Sequence, residues 1–330
     1  MRIALIKTSS MGDVVHALPV VTDLRCALPN ARIDWVVEEA FADLPALHPG
    51  VEQVLPIALR RWRRAWWSLP VRRERREARR RLSQYRYDCV LDLQGLYKSV
   101  MVAGWMRGPR VGFSFSSARE PLAALAYSRR YRVDMQSHAI ERLRSLAGQA
   151  FGYPVEGLPR FELAAPPIDP ALAAALAIGA GSGGYFVLLH ATSRAEKEWP
   201  IERWQALIAR LGEMGLRSIL PWGSNAEHER ARMLADASPN ATVAPRMRLR
   251  DCASLIAGAD GVVGVDTGLT HLAAAFDVPT AALFASTPAW RFGPYWSPRV
   301  KGLGSDGHWP ATDEVLATLQ TLGAFGASKP

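Results

Sequence analysis

The chain has 330 residues, enough for two domains of about 150 residues each, and 49% of them are hydrophobic, so each half can bury a core of its own. The net charge of +9 comes from one segment, because residues 60–86 hold twelve arginines and two glutamates while the rest of the chain is close to neutral. This uneven charge argues against a protein whose whole surface binds nucleic acid.

Hydropathy and cysteine content limit the setting in which the protein works. No apolar run reaches the roughly 18–20 residues that a membrane span needs. Because a strand is predicted from Ile3, we expect no signal peptide. Cys26, Cys89 and Cys252 lie far apart, without metal-ligand or CxxC spacing. We therefore expect buried, reduced thiols in a cytoplasmic protein.

Strand and helix signals alternate through the first half of the chain. This alternation is typical of a doubly wound α/β domain with a parallel sheet. Apolar runs predict strands at 3–6, 33–37, 51–59, 87–92 and 110–113, and helical periodicity predicts helices at 18–28, 72–81, 96–106 and 139–151.

The same pattern restarts after a stretch rich in Pro and Gly at 154–184, which predicts a hinge. Strands are predicted at 185–189, 218–220, 261–265 and, as the last strand, 279–284, and helices after Pro200 and at 226–235, 249–257, 269–276 and 311–322. We therefore predict a first domain at 1–153, a linker at 154–184, a second domain at 185–310, and a C-terminal helix and tail at 311–330. The sequence leaves the packing of this helix open, with a return onto the first domain as one candidate. Two such domains predict a ligand cleft between them and closure about the hinge.

The first strand leads into a turn, residues 7–16, that contains one glycine and a carboxylate, Asp13. Such turns lie at the carboxyl edge of a parallel sheet, where ligands bind. The turn lacks the glycines and lysine of a phosphate loop, and Asp13 would repel a phosphate. Two interpretations remain open: Asp13 is a general base, or it is the N-cap of a helix that begins at Val14. His16 is expected to pack rather than to react.

The second half contains a similar turn, with Asp266, Thr267, Gly268, Leu269 and His271 between a strand and a helix. Backbone amides at such a helix N-terminus can hold an anion, although Asp266 and Thr267 can also simply cap the helix. A loop at 190–200 brings Thr192 and Lys197 to the same sheet edge. An ammonium group and a helix dipole at one place suit a diphosphate.

Two further strand ends suit a nucleoside. Glu227 offers a carboxylate for ribose hydroxyls, and Met247 a thioether that can pack on a base. Taken alone, each residue is more often structural, Glu227 as an exposed helical glutamate and Met247 as a core methionine.

The arginine segment divides into two parts. Arg60, Arg61, Arg63 and Arg64 follow the third strand, on the same sheet edge as Asp13, and form a candidate site for carboxylates or phosphates. The helix predicted at 72–81 presents an arginine face that is either solvated, in contact with acidic lipid headgroups, or bound to nucleic acid.

Taken together, these segments resemble the heptosyltransferase I family of lipopolysaccharide biosynthesis, inverting glycosyltransferases of family 9 with the GT-B fold of two facing Rossmann-like domains. The matching stretches, in the family's order, are 7–16, 35–39, 60–63, 119–123, 190–192, 197 with 199–200, 221–223 and 265–271. The departures are Arg64, where lysine is common, and the segment at 284–288. Heptosyltransferase II, an epimerase of the same fold and a nucleic-acid-binding protein remain alternatives, whereas the lack of GxGxxG disfavours a hydride-transfer enzyme.

The resemblance implies transfer of L-glycero-D-manno-heptose from ADP-heptose to the inner Kdo of Kdo-lipid A. It implies a monomer at the cytoplasmic face of the inner membrane, with no metal and no nucleic acid bound. In the family, Asp13 matches the general base that deprotonates the acceptor. The residues that match donor contacts are Thr192, Lys197, Glu227, Met247, Asp266, Thr267, Gly268, Leu269 and His271. The residues placed with the anionic acceptor are Ser10, Arg60, Arg61, Arg63, Arg64 and Arg119.

Overall fold

The computed structural model describes residues 1–179, 183–192, 195–285, 288–305 and 307–325. The chain divides into two compact units, Met1–Ala164 and Ala165–Pro330. The division falls inside the predicted linker, of which residues 180–182 lie outside the described part. In the described residues, no helix is long and apolar enough to cross a membrane.

The first unit, described throughout, is a parallel sheet flanked by helices. Its strands follow the order β3-β2-β1-β4-β5-β6, which is the Rossmann order and places its reversal point between β1 and β4. The strands are β1 (Arg2–Ile6), β2 (Arg32–Glu38), β3 (Gln53–Ile57), β4 (Cys89–Asp92), β5 (Arg110–Phe113) and β6 (Arg129–Tyr131). The helices are α1 (Met11–Val15), α2 (Leu18–Ala27), α3 (Asp43–Ala46), α4 (Leu59–Arg64), α5 (Leu69–Leu82), α6 (Tyr97–Ala103) and α7 (Ala139–Phe151), with 3₁₀ turns at Glu39–Phe41 and Pro121–Ala126.

The second unit repeats this topology in its described residues, with the strand order β12-β11-β10-β7-β8-β9. Counted from β7, this is again the Rossmann order, and its reversal point lies between β7 and β10. The strands are β7 (Tyr185–Leu189), β8 (Arg217–Leu220), β9 (Ala241–Val243), β10 (Gly261–Val265), β11 (Thr280–Leu283) and β12 (Val300–Leu303). The helices are α8 (Pro170–Ala175), α9 (Ile201–Glu213), α10 (Asn225–Ala235), α11 (Leu249–Gly258), α12 (Gly268–Ala275), α13 (Ala289–Phe292) and α14 (Thr312–Thr321), with a 3₁₀ turn at Ala195–Lys197.

Central strands are buried on both faces because helices cover each side of the sheet. Ile3, Leu5 and Ile6 of β1 are fully buried, as are Val262 and Val263 of β10. This burial explains why the central strands read as continuous apolar runs in the sequence. The predicted α/β fold class with two Rossmann-like units is confirmed.

The structure adds strands that the sequence does not reveal. β6 and β9 are three-residue strands at the sheet edges, and β12 follows the segment predicted to be the last strand. The third strand also ends earlier than predicted: β3 stops at Ile57 and α4 begins at Leu59, so Arg60–Arg64 lie on a helix rather than in an extended strand end.

The C-terminal helix α14 packs within the second unit. Val315 and Leu319 are fully buried in the core of the second unit, together with Trp204 and Leu207 of α9. The sequence leaves the packing of this helix open, with the first domain as one candidate. An apolar stripe predicts that a helix packs against a hydrophobic core. It does not predict which of two similar α/β units provides that core.

The cysteines also depart from expectation in one respect. All three are among the described residues and carry free thiols; Cys89 and Cys252 are buried, whereas Cys26 is exposed. Burial raises the pKa of Cys89 and of Cys252 to about 12, so these two thiols stay protonated and inert.

Candidate functional site

At the reversal point of the first sheet, the turn after β1 is fastened to the end of β4. The Gln94 side chain accepts hydrogen bonds from the backbone N–H groups of Thr8, at 3.0 Å, and Ser9, at 3.2 Å. Two buried backbone donors are thereby satisfied by one amide oxygen. The turn that carries Asp13 is therefore held in place by the neighbouring strand.

Asp13 occupies the third position of α1 and not its N-cap. Its Oδ2 atom accepts hydrogen bonds from the backbone N–H of Ser10, at 2.9 Å, and from the Ser10 hydroxyl, at 2.8 Å. The N-cap is Ser10 itself, so the prediction of a helix starting at Val14 is wrong by three residues. Ser10, predicted to bind the acceptor, therefore orients the carboxylate of Asp13, which remains 30% exposed.

A buried lysine lies behind this carboxylate. Lys7 Nζ is 3.9 Å from Asp13 Oδ1 and donates a hydrogen bond to the Leu93 carbonyl at 3.0 Å. Burial raises the pKa of Asp13, but the charge of Lys7 and the two hydrogen bonds from Ser10 outweigh burial and lower that pKa overall. Asp13 is therefore ionised at neutral pH and can accept a proton.

Replacing Lys7 by Met is expected to shift the acid limb of the kcat/KM profile to higher pH. The substitution removes the charge that lowers the pKa of Asp13 and leaves burial to raise it. The pH–rate profile of the variant measures this. Lys98→Met, which removes a lysine that borders the same cavity, is expected to shift the limb less. An acid limb that is unchanged in Lys7→Met would contradict the role of Lys7.

Asp13 borders a cavity of about 400 Å³ in the first unit. Arg119, as predicted from sequence, lines it, together with Ser10, Lys98 and Glu120. Lys98 Nζ donates a 2.6 Å hydrogen bond to the Ser9 hydroxyl. The carboxylate thus faces a space that also contains cationic side chains suited to an anionic ligand.

A second cavity of about 350 Å³ shares Lys98 with the first and therefore adjoins it. Arg60 and Arg63 line this cavity as predicted, and Arg75 of α5 joins them. Its walls are otherwise largely apolar. They comprise Leu59, Trp62, Trp66 and Met101, with Glu38 as the acidic member. Sequence reasoning missed Lys98 and Arg75.

The other two arginines of α4 are placed differently. Arg61 donates hydrogen bonds to Glu39, at 3.0 and 3.1 Å, and to Glu74, at 2.8 Å. Arg64 ends the helix and is exposed. Within the fully described first unit, neither lines the two cavities above. The structure therefore does not bring Arg61 and Arg64 together with Arg60 and Arg63.

At the reversal point of the second sheet, Asp266 contacts predicted site residues that follow β7 and β10. Lys197 Nζ donates to Asp266 Oδ2 at 2.6 Å, and His271 Nε2 lies 3.3 Å from Oδ1. The Thr192 hydroxyl donates to the Asp266 carbonyl at 3.4 Å. Burial raises the pKa of Asp266, but the contacts with His271 and Lys197 outweigh it and hold that pKa well below the usual range.

The helix that follows, α12, begins at this cluster. Thr267 is its N-cap, but its side chain makes no capping hydrogen bond within the described residues; Gly268 and Leu269 form the first turn. A Cβ at Gly264 of β10 would come within 2.1 Å of the Thr270 hydroxyl, so glycine is needed there for the helix to pack closely on the strand. Asp266 is not a cap, because its carboxylate binds Lys197, whereas Thr267 does occupy the N-cap position.

Glu227 and Met247 lie farther along the same sheet edge. Glu227 Oε2 accepts hydrogen bonds from the backbone N–H groups of Gly223, at 2.6 Å, and Ser224, at 3.2 Å, as part of the cap of α10. Met247 is half-buried and packs, like Leu269, against the core beneath the edge. Glu227 thus caps its helix, and Met247 packs on the core as its structural interpretation predicts.

The strand order places these residues along one edge of the second sheet. The strand ends follow one another as β10, β7, β8 and β9, which carry Asp266, Lys197, Glu227 and Met247 in that sequence. Neighbouring strands are about 4.8 Å apart, so the edge from β10 to β9 extends roughly 14 Å. This length suits a nucleoside diphosphate. Ser193 and Arg194 of the 190–200 loop, and Ser286 and Thr287 of the departing segment, lie outside the described residues.

The described residues contain no group of three His, Cys, Asp or Glu side chains that could hold a metal ion. Positive charge at the two reversal points is supplied instead by lysines and arginines, with Lys7 and Arg119 near Asp13 and Lys197 at Asp266.

Comparison with known proteins identifies relatives over almost the whole chain. A family model described as glycosyltransferase family 9 (heptosyltransferase) matches residues 75–318. Lipopolysaccharide heptosyltransferase 1 of Escherichia coli is 44% identical over 298 residues, which cover 89% of this chain and 91% of that protein. The protein of the same name from Salmonella typhimurium is 44% identical over 329 residues, 99% of each chain.

Solved structures agree with these relatives. The E. coli heptosyltransferase WaaC with ADP superposes with a TM-score of 0.85 at 40% identity, covering 97% of this chain and 98% of that chain. WaaC with ADP-2-deoxy-2-fluoro heptose gives 0.82 at the same identity and coverage. The similarity thus includes both units and both reversal points.

Proposed function

The chain belongs to glycosyltransferase family 9, the heptosyltransferases, and transfers heptose in lipopolysaccharide core biosynthesis; we propose that it does so from ADP-L-glycero-D-manno-heptose to the inner Kdo of Kdo-lipid A. The observation that carries this proposal is the arrangement of two complementary sites. One unit holds an ionised carboxylate among cations, and the other holds a Lys197–Asp266–His271 cluster beside a helix N-terminus.

Asp13 is the proposed general base. It accepts the proton of the attacking Kdo hydroxyl, whose oxygen forms the new bond to the anomeric carbon of heptose while the bond to the diphosphate breaks. One base suffices for such a single displacement with inversion, since no covalent sugar intermediate needs a second carboxylate. Ser10 and Lys7 hold the carboxylate in position and in its ionised form.

The second unit binds the donor and stabilises the leaving group. The ammonium of Lys197 has three N–H donors, so it can stay on Asp266 and also contact the diphosphate. The backbone amides of Thr267, Gly268 and Leu269 at the start of α12 add the positive end of a helix dipole. Asp266 and His271 hold heptose hydroxyls, Thr192 lies beside the diphosphate, and Glu227 and Met247 hold the ribose and the base.

Lys197 and the helix amides supply the charge that a divalent metal provides in other sugar transferases, and we expect no metal requirement. The proposal is tested by measuring ADP release from ADP-heptose in EDTA, with and without Kdo-lipid A. We expect ADP release that depends on the acceptor. ADP release at the same rate without acceptor would indicate donor hydrolysis and would overturn the proposed transfer.

The anionic Kdo carboxylates are bound by the two adjoining cavities of the first unit. Replacing Arg63 by Ala is expected to raise the acceptor KM by about 10–100-fold with the donor KM unchanged, because a hydrogen bond between charged groups contributes about 1.5–3 kcal/mol. Steady-state kinetics with each substrate varied in turn measure this. Arg119 and Arg60 share this role.

Arg61→Ala is the matched comparison on the same helix. The guanidinium of Arg61 is occupied by Glu39 and Glu74, and exposed ion pairs contribute little to stability. We therefore expect a much smaller rise in acceptor KM than for Arg63→Ala. An equal rise in acceptor KM in the two variants would contradict the assignment of Arg63, but not Arg61, to the acceptor.

Because the proposed acceptor is anchored in a membrane, we propose that the enzyme works as a monomer bound peripherally at the cytoplasmic face of the inner membrane. The arginine helix α5 supplies the electrostatic part of this contact. Its exposed arginines suit anionic headgroups, whose attraction is worth about 1 kcal/mol for each Lys or Arg near the surface.

A further inference from the structure

Beyond its first turn, the arginine helix α5 has no apolar face left for a membrane. Val71, Ala78 and Leu82 form its apolar stripe, and all three are buried in the core of the first unit. From Arg72 onward, its exposed residues are arginines and one glutamate, Glu77. Such a surface can rest on headgroups, but it contributes no hydrophobic insertion, which anchoring to a bilayer usually also requires.

The missing apolar element lies at the start of this helix and in the residues just before it. Trp66, Trp67 and Leu69 are 61%, 64% and 66% exposed. The two indole rings lie 6.0 Å apart in an edge-to-face arrangement, so they form one aromatic cluster. Large apolar side chains clustered at this exposure are unusual on a water-facing surface and indicate an interaction site.

Charge identifies what covers this cluster. The helix that follows exposes Arg72, Arg73, Arg76, Arg79, Arg80 and Arg81. A second copy of this chain placed symmetrically on the cluster would bring these arginines against one another, which disfavours self-association. Tryptophan next to arginine is instead the composition typical of the headgroup region of a bilayer, where amphipathic rings and cations both find favourable partners.

We propose that the segment 66–69 inserts into the headgroup region of an anionic lipid bilayer, with α5 lying on the surface beside it. Trp66 also lines the cationic cavity with Arg63 and Lys98. The insertion point is therefore next to the cavity assigned to the acceptor, so a membrane-anchored acceptor is presented where its anionic sugar is bound. The benefit of such insertion depends on the proposed function, whereas vesicle binding can be measured without it.

The test is co-sedimentation of the full chain with vesicles of phosphatidylcholine, alone or with about one-third phosphatidylglycerol. The wild-type protein is expected to bind the anionic vesicles. The variant Trp67→Ser/Leu69→Ser is expected to bind them on the order of tenfold more weakly. These positions are chosen because neither lines the acceptor cavity within the fully described first unit, and an unchanged melting temperature verifies the fold.

Trp290→Ser/Met233→Ser is the matched control. It removes a tryptophan and an aliphatic side chain that are 60% and 51% exposed in the second unit, and we expect vesicle binding equal to that of the wild type. Equal binding by Trp67→Ser/Leu69→Ser and the wild type would overturn the proposal, as would an equal loss in the control. A wild-type dimer that this variant dissociates, seen in sedimentation velocity, would assign the cluster to a second copy and also overturn it.

Activity separates this inference from the proposed function. Transfer to a soluble, deacylated Kdo acceptor is expected to be unchanged in Trp67→Ser/Leu69→Ser, while transfer to vesicle-borne acceptor falls. An equal fall on both acceptors would place the residues in the substrate site and contradict insertion. If the wild-type protein transfers heptose to neither acceptor, the proposed function fails, and vesicle binding still decides the role of the segment.

Discussion

Replacing Asp13 by Asn is expected to lower kcat for heptose transfer by about 10²–10⁴-fold, the contribution typical of a positioned general base. The asparagine oxygen can still accept the hydrogen bond from the Ser10 N–H that Asp13 accepts at 2.9 Å, so the turn keeps its structure. An amide cannot accept the proton of the acceptor hydroxyl. The Kd for ADP-heptose is expected to stay close to the wild-type value, because the proposed donor residues lie in the second unit. Single-turnover kinetics and calorimetric titration with the donor measure the two quantities.

The structure offers a close control for the capping role of Asp13. Asp251 occupies the third position of α11, and its Oδ2 accepts a hydrogen bond from the N-cap backbone N–H of Arg248 at 3.0 Å. Asp251→Asn therefore changes the same contact at the same helix position, away from both reversal points. We expect it to leave kcat nearly unchanged. Transfer by Asp13→Asn at the wild-type rate would show that Asp13 is a cap and not a base.

Replacing Lys197 by Ala is expected to lower kcat/KM for ADP-heptose by about 10²–10³-fold, the loss typical when one preorganised charge partner of a transition state is removed. The ammonium of Lys197 is held on Asp266 at 2.6 Å, where we propose that the leaving diphosphate gains charge. Since this charge develops during bond cleavage, a large part of the loss should appear in kcat. Steady-state kinetics with saturating acceptor measure it.

Lys301 of β12 provides a control for the loss of one positive charge in Lys197→Ala. It is an exposed lysine of the same unit, and Lys301→Ala is expected to keep the wild-type kcat and KM. Lys197→Arg, which keeps the charge but changes the donor geometry, should retain part of the activity. A Lys197→Ala enzyme with raised donor KM but unchanged kcat would mean that Lys197 only binds the donor, and would contradict its role in leaving-group stabilisation.

The central strands could be predicted from the sequence because they are buried on both faces. β7 and β10 begin and end at the predicted residues, since an uninterrupted apolar run has no other place in a doubly wound sheet. The edge strands could not. β6 consists of Arg129, Arg130 and Tyr131, exposed or half-buried, so no apolar run marks it. An edge strand is stabilised by hydrogen bonds to the neighbouring strand, and its own sequence need not show an apolar run.

The arginines illustrate a signal that was present but assigned to the wrong element. Arg60 and Arg63 are three residues apart and share one face of α4, whereas Arg61 and Arg64 share the next. Only the first pair lines the cationic cavity within the fully described first unit. The end of a strand does not group these four arginines into two faces, so the prediction assigns all four to one site. Recognising a helix from Leu59 would have separated them.

At the site, the position of Asp13 could be predicted from the sequence, whereas that of Lys98 could not. Ser10 and Asp13 show the spacing of a capping box, so the sequence already contained the evidence that Asp13 is the third residue of a helix. Lys98, by contrast, lies within a helix whose neighbours give no hint of function. Its contact with Ser9, 89 positions earlier, exists only because β1 and β4 are adjacent at the reversal point of the sheet.

The most direct test of heptose transfer to the inner Kdo follows radiolabelled heptose from ADP-heptose to two acceptors presented in the same vesicles. One is Kdo-lipid A without heptose, and the other already carries the first heptose. We expect the label on the heptose-free acceptor, with loss of transfer in Asp13→Asn. Label that appears only on the acceptor already carrying heptose would contradict the proposed reaction and indicate a later step of core synthesis.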